Sequence, residues 1–113
     1  MARATRTRQE DTASQAVATV VYGAKALSDL ERLFGFLLQH DQASAVASSA
    51  AIRGAIEMLS EHPLIGRRIA GDVRELVISF GRTGYIALYR FVPAVEEVRT
   101  LSIRHQREIG YPG

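Results

Sequence analysis

The stretch that decides the fold is "VRELVISFGRTGYIALYRF", residues 73–91. Its first half alternates Leu76, Ile78 and Phe80 against Glu75, Val77 and Ser79, the period of a strand with one face buried. Gly81-Arg82-Thr83-Gly84 follows, with glycine supplying the backbone freedom a tight turn needs. The second half sets Tyr85, Ala87, Tyr89 and Phe91 against Ile86, Leu88 and Arg90. Two alternating runs across so short a turn predict an antiparallel hairpin. "PAVEE" (93–97) turns the chain again, and "VRTLSIRH" (98–105) predicts a third strand of the same meander.

Upstream the period changes. "KALSDLERLFGFLLQH" (25–40) places Leu27, Leu30, Phe34, Leu37 and Leu38 on one helical face, with Asp29, Glu31 and Arg32 elsewhere. Asp41 is a helix cap for "QASAVASSAAIRGAIEMLSEH" (42–62), whose stripe is Ile52, Ala55, Ile56 and Leu59. Pro63 ends that helix. The connection between the two is short, which predicts an antiparallel helical hairpin. "AVATVVY" (16–22) is a short β-branched run suited to a buried strand that pairs with the meander. "LIGRRIAGD" (64–72) reads as a glycine-containing loop. The expected fold class is α+β with the order β-α-α-β-β-β. An N-terminal helical hairpin packs on a small, mainly antiparallel sheet. Residues 1–14, "MARATRTRQEDTAS", read as a disordered leader, and 15–113 as a single domain.

The totals narrow the function. With 113 residues there is room for one core of modest size. The absence of cysteine removes disulfides, thiolate metal sites and thiol nucleophiles. His40, His62 and His105 show no metal-ligand spacing, so neither a metal nor any other cofactor is expected. No apolar run has the length of a membrane span. "AVATVVYGAKA" is too short for a signal peptide and is preceded by Glu10 and Asp11, which places the expected location in the cytoplasm.

The base count is thirteen Arg to one Lys, Lys25. Residues 62–113 hold eight Arg against five acids, whereas residues 15–61 hold three bases against five acids. The second half is therefore the face for an anionic ligand or acidic partner. Candidate binding residues are Arg67, Arg68, Arg74, Arg90, Arg104, His105 and Arg107. Arg74, Arg90 and Arg104 can form a basic stripe over the sheet. His105 beside Arg104 can act as a general base toward a ribose hydroxyl, with Arg stabilising the phosphate and Tyr111 donating a proton. The alternative is a structural histidine bonded to nearby backbone.

Four segments in order carry a family resemblance. They are "SDLERLFGFL" (28–37), "AIEMLSEHPLIGRRI" (55–69), "VRELVISFGRTGYIALYRF" (73–91) and "VRTLSIRHQREIGY" (98–111). Across residues 16–111 the chain resembles the ParE/RelE superfamily, the toxins of bacterial type II toxin–antitoxin modules. "IRHQRE" (103–108) brings it nearer the ParE branch. That resemblance implies a RelE/ParE-like fold and a growth-inhibiting toxin that binds DNA gyrase and is not itself an enzyme. It implies a ParD-like antitoxin, held with the toxin in a hetero-oligomer, and a role in plasmid stabilization. RelE toxins instead cleave messenger RNA on the ribosome with basic residues of the sheet. The alternative it implies is a metal-independent endoribonuclease using Arg74, Arg104, His105 and Tyr111. The lysines of the RelE pattern are absent, and "REIGYPG" at the end departs from many ParE chains.

Overall fold

The computed structural model describes residues 17–108. The leader 1–14 and Tyr111 lie outside the described residues. Among the described residues, five strands and two α-helices follow in the order β1 (Thr19–Tyr22), α1 (Ala24–Leu38), α2 (Gln42–Glu57), β2 (Arg67–Ala70), β3 (Val73–Phe80), β4 (Thr83–Val92) and β5 (Glu97–His105). They form one sheet in the order β1-β5-β4-β3-β2. β1 runs parallel to β5, and every other pairing is antiparallel. The α+β class, the helical hairpin and the meander are as the periodicity predicts.

The hairpin closes with Phe80 opposite Thr83, leaving Gly81 and Arg82 as a two-residue turn. Gly81 takes φ +60°, at the first central position, where glycine costs nothing and a side chain would be strained. Tyr85, Ala87 and Tyr89 are buried on the face under the helices, as the alternation requires. Leu33, Ile52, Ile56, Leu59, Leu76, Ile78, Val98 and Ile103 complete the core. Asp41 caps α2, accepting from the Ala43 amide at 3.2 Å and the Ser44 hydroxyl at 2.7 Å. Those bonds hold its carboxyl below the usual aspartate range.

Two expectations are corrected. Residues 64–72 are not wholly a loop, because Arg67–Ala70 is a strand at the sheet edge paired with β3. All four of its residues are exposed, so it carries no apolar alternation, and only its backbone bonds define it. Second, the buried line of α1 is Ala26, Asp29 and Leu33. Leu27 and Leu38 are exposed, at 50% and 43%.

The burial of Asp29 has a topological cause. β1 ends at Tyr22, opposite Thr100, so β5 has no strand on that side beyond this point. The chain turns there into α1, with the Gly23 amide donating to the Thr100 carbonyl at 2.9 Å. Asp29, just over one turn into the helix, takes the place of the missing strand. Its Oδ2 accepts the Ile103 amide at 2.9 Å. Lys25 donates to both carboxylate oxygens, at 3.0 and 3.1 Å, and keeps the charge compensated.

The edge near β2 is held from the other side. The Gly66 amide donates to the Tyr89 hydroxyl at 2.8 Å. A Cβ at Gly66 would lie 2.6 Å from that oxygen and 2.7 Å from the Glu75 carbonyl oxygen, so only glycine fits. Burial raises the Tyr89 phenol above its ordinary pKa, against the smaller opposing effect of the Gly66 amide.

Candidate functional site

The open face of the sheet is less basic than its arginine count suggests. Arg67 binds Glu75 at 2.7 Å, Arg90 binds Asp72 at 2.8 Å and Arg99 binds Glu97 at 2.9 Å. Arg90 holds the Asp72 carboxyl below its ordinary range. Such exposed pairs contribute little stability, about 0–1 kcal/mol each, yet they neutralise much of this face. Arg68 donates to the Gly71 carbonyl through Nε and an Nη, at 3.1 and 2.9 Å.

The structure does not join Arg74, Arg90 and Arg104 into one stripe. Arg90 is opposite Arg99, and Arg104 is opposite Ile86, both pairs on the open face. Arg74 is opposite buried Tyr89, on the other face. Its guanidinium donates to the carbonyls of Leu64 at 3.0 Å and Gly66 at 2.8 Å, tying the loop before β2 to the sheet. Arg104 is exposed.

His105 stands at the end of β5, opposite Tyr85, with the two rings edge-to-face at 5.3 Å. Its Nδ1 accepts the Arg107 amide at 3.0 Å. With Nδ1 as acceptor, the network assigns the proton to Nε2, which donates to Thr83 Oγ1. Both ring nitrogens are thus engaged. The histidine latches the short turn at Gln106–Glu108 to β5 and ties the end of β5 to the start of β4. No lone pair is left facing solvent for proton abstraction in this arrangement.

Beside this latch lies a cleft of about 790 Å³. It opens between the C-terminal half of α1, the start of α2 and the β3–β4 turn, and β5 closes its end. Leu33, Phe36, Leu37, Phe80 and Tyr85 provide carbon surface, and Arg32, Arg82 and Arg107 provide charge. Among the described residues, no acid lines it. Phe36 is 58% exposed there, and its ring lies tilted against that of His40, with centroids 4.9 Å apart. Of the candidate residues read from sequence, His105 and Arg107 meet at this cleft. Arg67, Arg68, Arg74, Arg90 and Arg104 do not line it. Sequence reading missed Arg32, Phe36 and Arg82. The one available signal was an aromatic in α1 off the Leu30 and Phe34 face.

Among the described residues no group of His, Asp or Glu is placed to hold a metal ion. None of their helices is long and apolar enough to cross a membrane. The site offers hydrophobic contact and positive charge.

Comparison with known proteins places this geometry. Caulobacter vibrioides Toxin RelE3 is 36% identical over 90 residues, covering 80% of this chain and 96% of that protein. Toxin RelE1 of the same organism is 31% identical over 74 residues, covering 66% and 80%. In fold, the chain is similar to a structure of the chromosomal ParDE system of P. aeruginosa, with TM-score 0.65 and 18% identity over 80% of this chain and 98% of that one. It is also similar to the RelBE2 toxin–antitoxin complex of Mycobacterium tuberculosis, with TM-score 0.53 and 24% identity over 80% and 99%. The model of the ParE toxin of the type II toxin–antitoxin system parDE matches residues 20–110. The chain therefore belongs to the ParE toxin family, within the ParE/RelE superfamily of type II toxin–antitoxin toxins.

Proposed function

We propose that this toxin works in the cytoplasm by binding DNA gyrase and blocking its action, and that a ParD-like antitoxin neutralises it in a stable hetero-oligomer. The observation that carries the reading is the ParE family match over residues 20–110. The His105 latch supports it, because a binding protein needs no free base and both of this ring's nitrogens are engaged. Carbon surface and unchanging guanidinium charge suit recognition of a protein surface.

A second reading has its own support, since the curated relatives are named RelE. Under it the protein is a ribosome-dependent messenger-RNA endonuclease that uses Arg74, Arg104, His105 and Tyr111. Arg74 is committed to two backbone carbonyls and the other two described residues face different ways, which favours the first reading.

Inducing the protein alone in bacteria separates the two. A gyrase-directed toxin produces filamentous cells and a DNA-damage response, with transcripts intact. Rapid arrest of translation with new transcript 5′ ends, and no filamentation, would overturn the gyrase reading.

A further inference from the structure

Pro63-Leu64-Ile65-Gly66 lies between α2 and β2 and carries an unusual load. Leu64 is 58% exposed and Ile65 is 56% exposed. Among the described residues, the other strongly exposed large apolar side chains come singly along the chain. Yet the backbone under this pair is tied down on both sides. The Ile65 amide closes a turn onto the His62 carbonyl at 3.2 Å. The Arg74 guanidinium donates to the carbonyls of Leu64 and Gly66, at 3.0 and 2.8 Å. The Gly66 amide donates at 2.8 Å to the hydroxyl of Tyr89, a fully buried residue. Proline fixes φ at one end of the loop, and the closeness of Tyr89 admits only glycine at the other. A backbone anchored to the core thus holds two apolar side chains out in water, where exposed carbon in one patch marks a contact surface.

We propose that Leu64 and Ile65 are the anchor by which the toxin docks into a preformed apolar pocket on its folded target protein, gyrase under the reading above. The inference rests on that reading and adds a place on the toxin where the target is held, apart from the cleft. The loop is tied to the start of β3 at Arg74, whereas Phe80 at the end of β3 lines the cleft. An extended strand covers about 20 Å between those two residues. The chemistry of the loop selects its occupant. The arginines that follow are committed, Arg67 to Glu75 at 2.7 Å, Arg68 to the Gly71 carbonyl and Arg74 to the loop itself. Glu61 and His62, exposed just before the loop, form a polar rim. At the tip the offer is carbon, so the receiving surface is apolar and phosphate is not its ligand. Shape selects further. A peptide tail that folds on binding needs a groove to lie in, whereas a projection held rigid in advance fits a cavity already present in a folded partner. Because the loop is ordered before the partner arrives, little of the ordering cost is left for binding to meet.

The test measures inhibition of purified gyrase supercoiling by the full chain and its variants, with a thermal melt of each. Leu64→Ser/Ile65→Ser leaves the backbone bonds in place and is expected to melt within about 3 °C of the parent. The concentration giving half inhibition is expected to rise roughly thirtyfold or more, and equally at low and high salt, since the contact is apolar. Leu64→Met/Ile65→Met keeps the carbon surface and should recover inhibition to within about fivefold of the parent. Ile65→Ser alone, with an expected loss of about fivefold, carries the same test if the serine pair does not fold. If the unaltered chain inhibits and the folded serine variant matches it within twofold, this assignment is overturned and the gyrase reading stands. If the unaltered chain leaves supercoiling untouched, the gyrase reading fails and takes this one with it. Stopped-flow binding to the product of the adjacent gene, and sedimentation of the chain alone, identify other occupants. Lost antitoxin binding with inhibition retained makes the loop an antitoxin contact. A parent dimer that the serine pair converts to a monomer, with inhibition retained, makes it a contact between copies. Either result overturns the proposal.

Discussion

Replacing Asp29 with alanine is expected to destabilise the fold by about 2–3 kcal/mol, which lowers the melting temperature of a domain this size by roughly 10–20 °C. Asp29 is 6% exposed, and its carboxylate is the partner of the buried Ile103 amide where β1 has run out. Alanine leaves that amide in the core with nothing to accept it. A buried donor left unpaired costs about 1–3 kcal/mol, and loss of a charge-assisted bond stands at the upper part of that range. Asp29→Asn keeps an acceptor oxygen and should cost about half as much. Lys25→Met removes a side chain that is 60% exposed, so its cost is expected to stay below about 1 kcal/mol. Urea titration of the three variants gives the order directly. An Asp29→Ala protein as stable as the parent would show that the joint between α1 and β5 does not depend on this carboxylate.

His105→Ala divides the two functional readings by the largest margin. If the imidazole is a general base, its loss reduces transcript cleavage by about 10²–10⁴-fold, and toxicity disappears with it. If the histidine is the latch described here, toxicity persists. The change is then structural, because the Arg107 amide and Thr83 hydroxyl lose their partner and the Gln106–Glu108 turn loosens. Some loss of stability, on the order of 1 kcal/mol, accompanies the retained activity. Growth after induction, read together with 5′-end mapping and a thermal melt, separates these outcomes. The gyrase reading predicts filamentation with His105→Ala and no new transcript ends. Abolished toxicity in a variant that still folds would contradict it.

The sheet was legible in the sequence because its central strands are buried on one face. The alternation of Leu76, Ile78 and Phe80, and of Tyr85, Ala87 and Tyr89, reports that burial directly. β2 was not legible for the opposite reason: an exposed edge strand has no apolar face to alternate. The burial of Asp29 was hidden because its cause is non-local. Nothing in "LSDLERL" (27–33) says that β1 will end opposite Thr100 and leave an amide of β5 to be satisfied. One buried carboxylate then shifts the core-facing line of α1 onto Ala26 and Leu33.

The candidate site divides along the same line. His105 and Arg107 were found because they stand in one dense polar run, "RHQR" (104–107). Arg32 and Arg82 come from a helix and a turn tip that only the packing of the hairpin on the sheet brings to the same opening. Counting arginines also overstated the open face, since Asp72, Glu75 and Glu97 each form an ion pair with one. Charge totals register the sign of a surface and not which charges remain uncompensated.

The central claim is that this toxin acts by binding gyrase and not by cutting RNA. A supercoiling assay with purified gyrase, relaxed plasmid, ATP and increasing amounts of the purified protein tests it most directly. The account predicts dose-dependent loss of supercoiling, reversed when the antitoxin is added. Full supercoiling at a large excess of active toxin, alongside cleavage of messenger RNA in a translating extract, would contradict it.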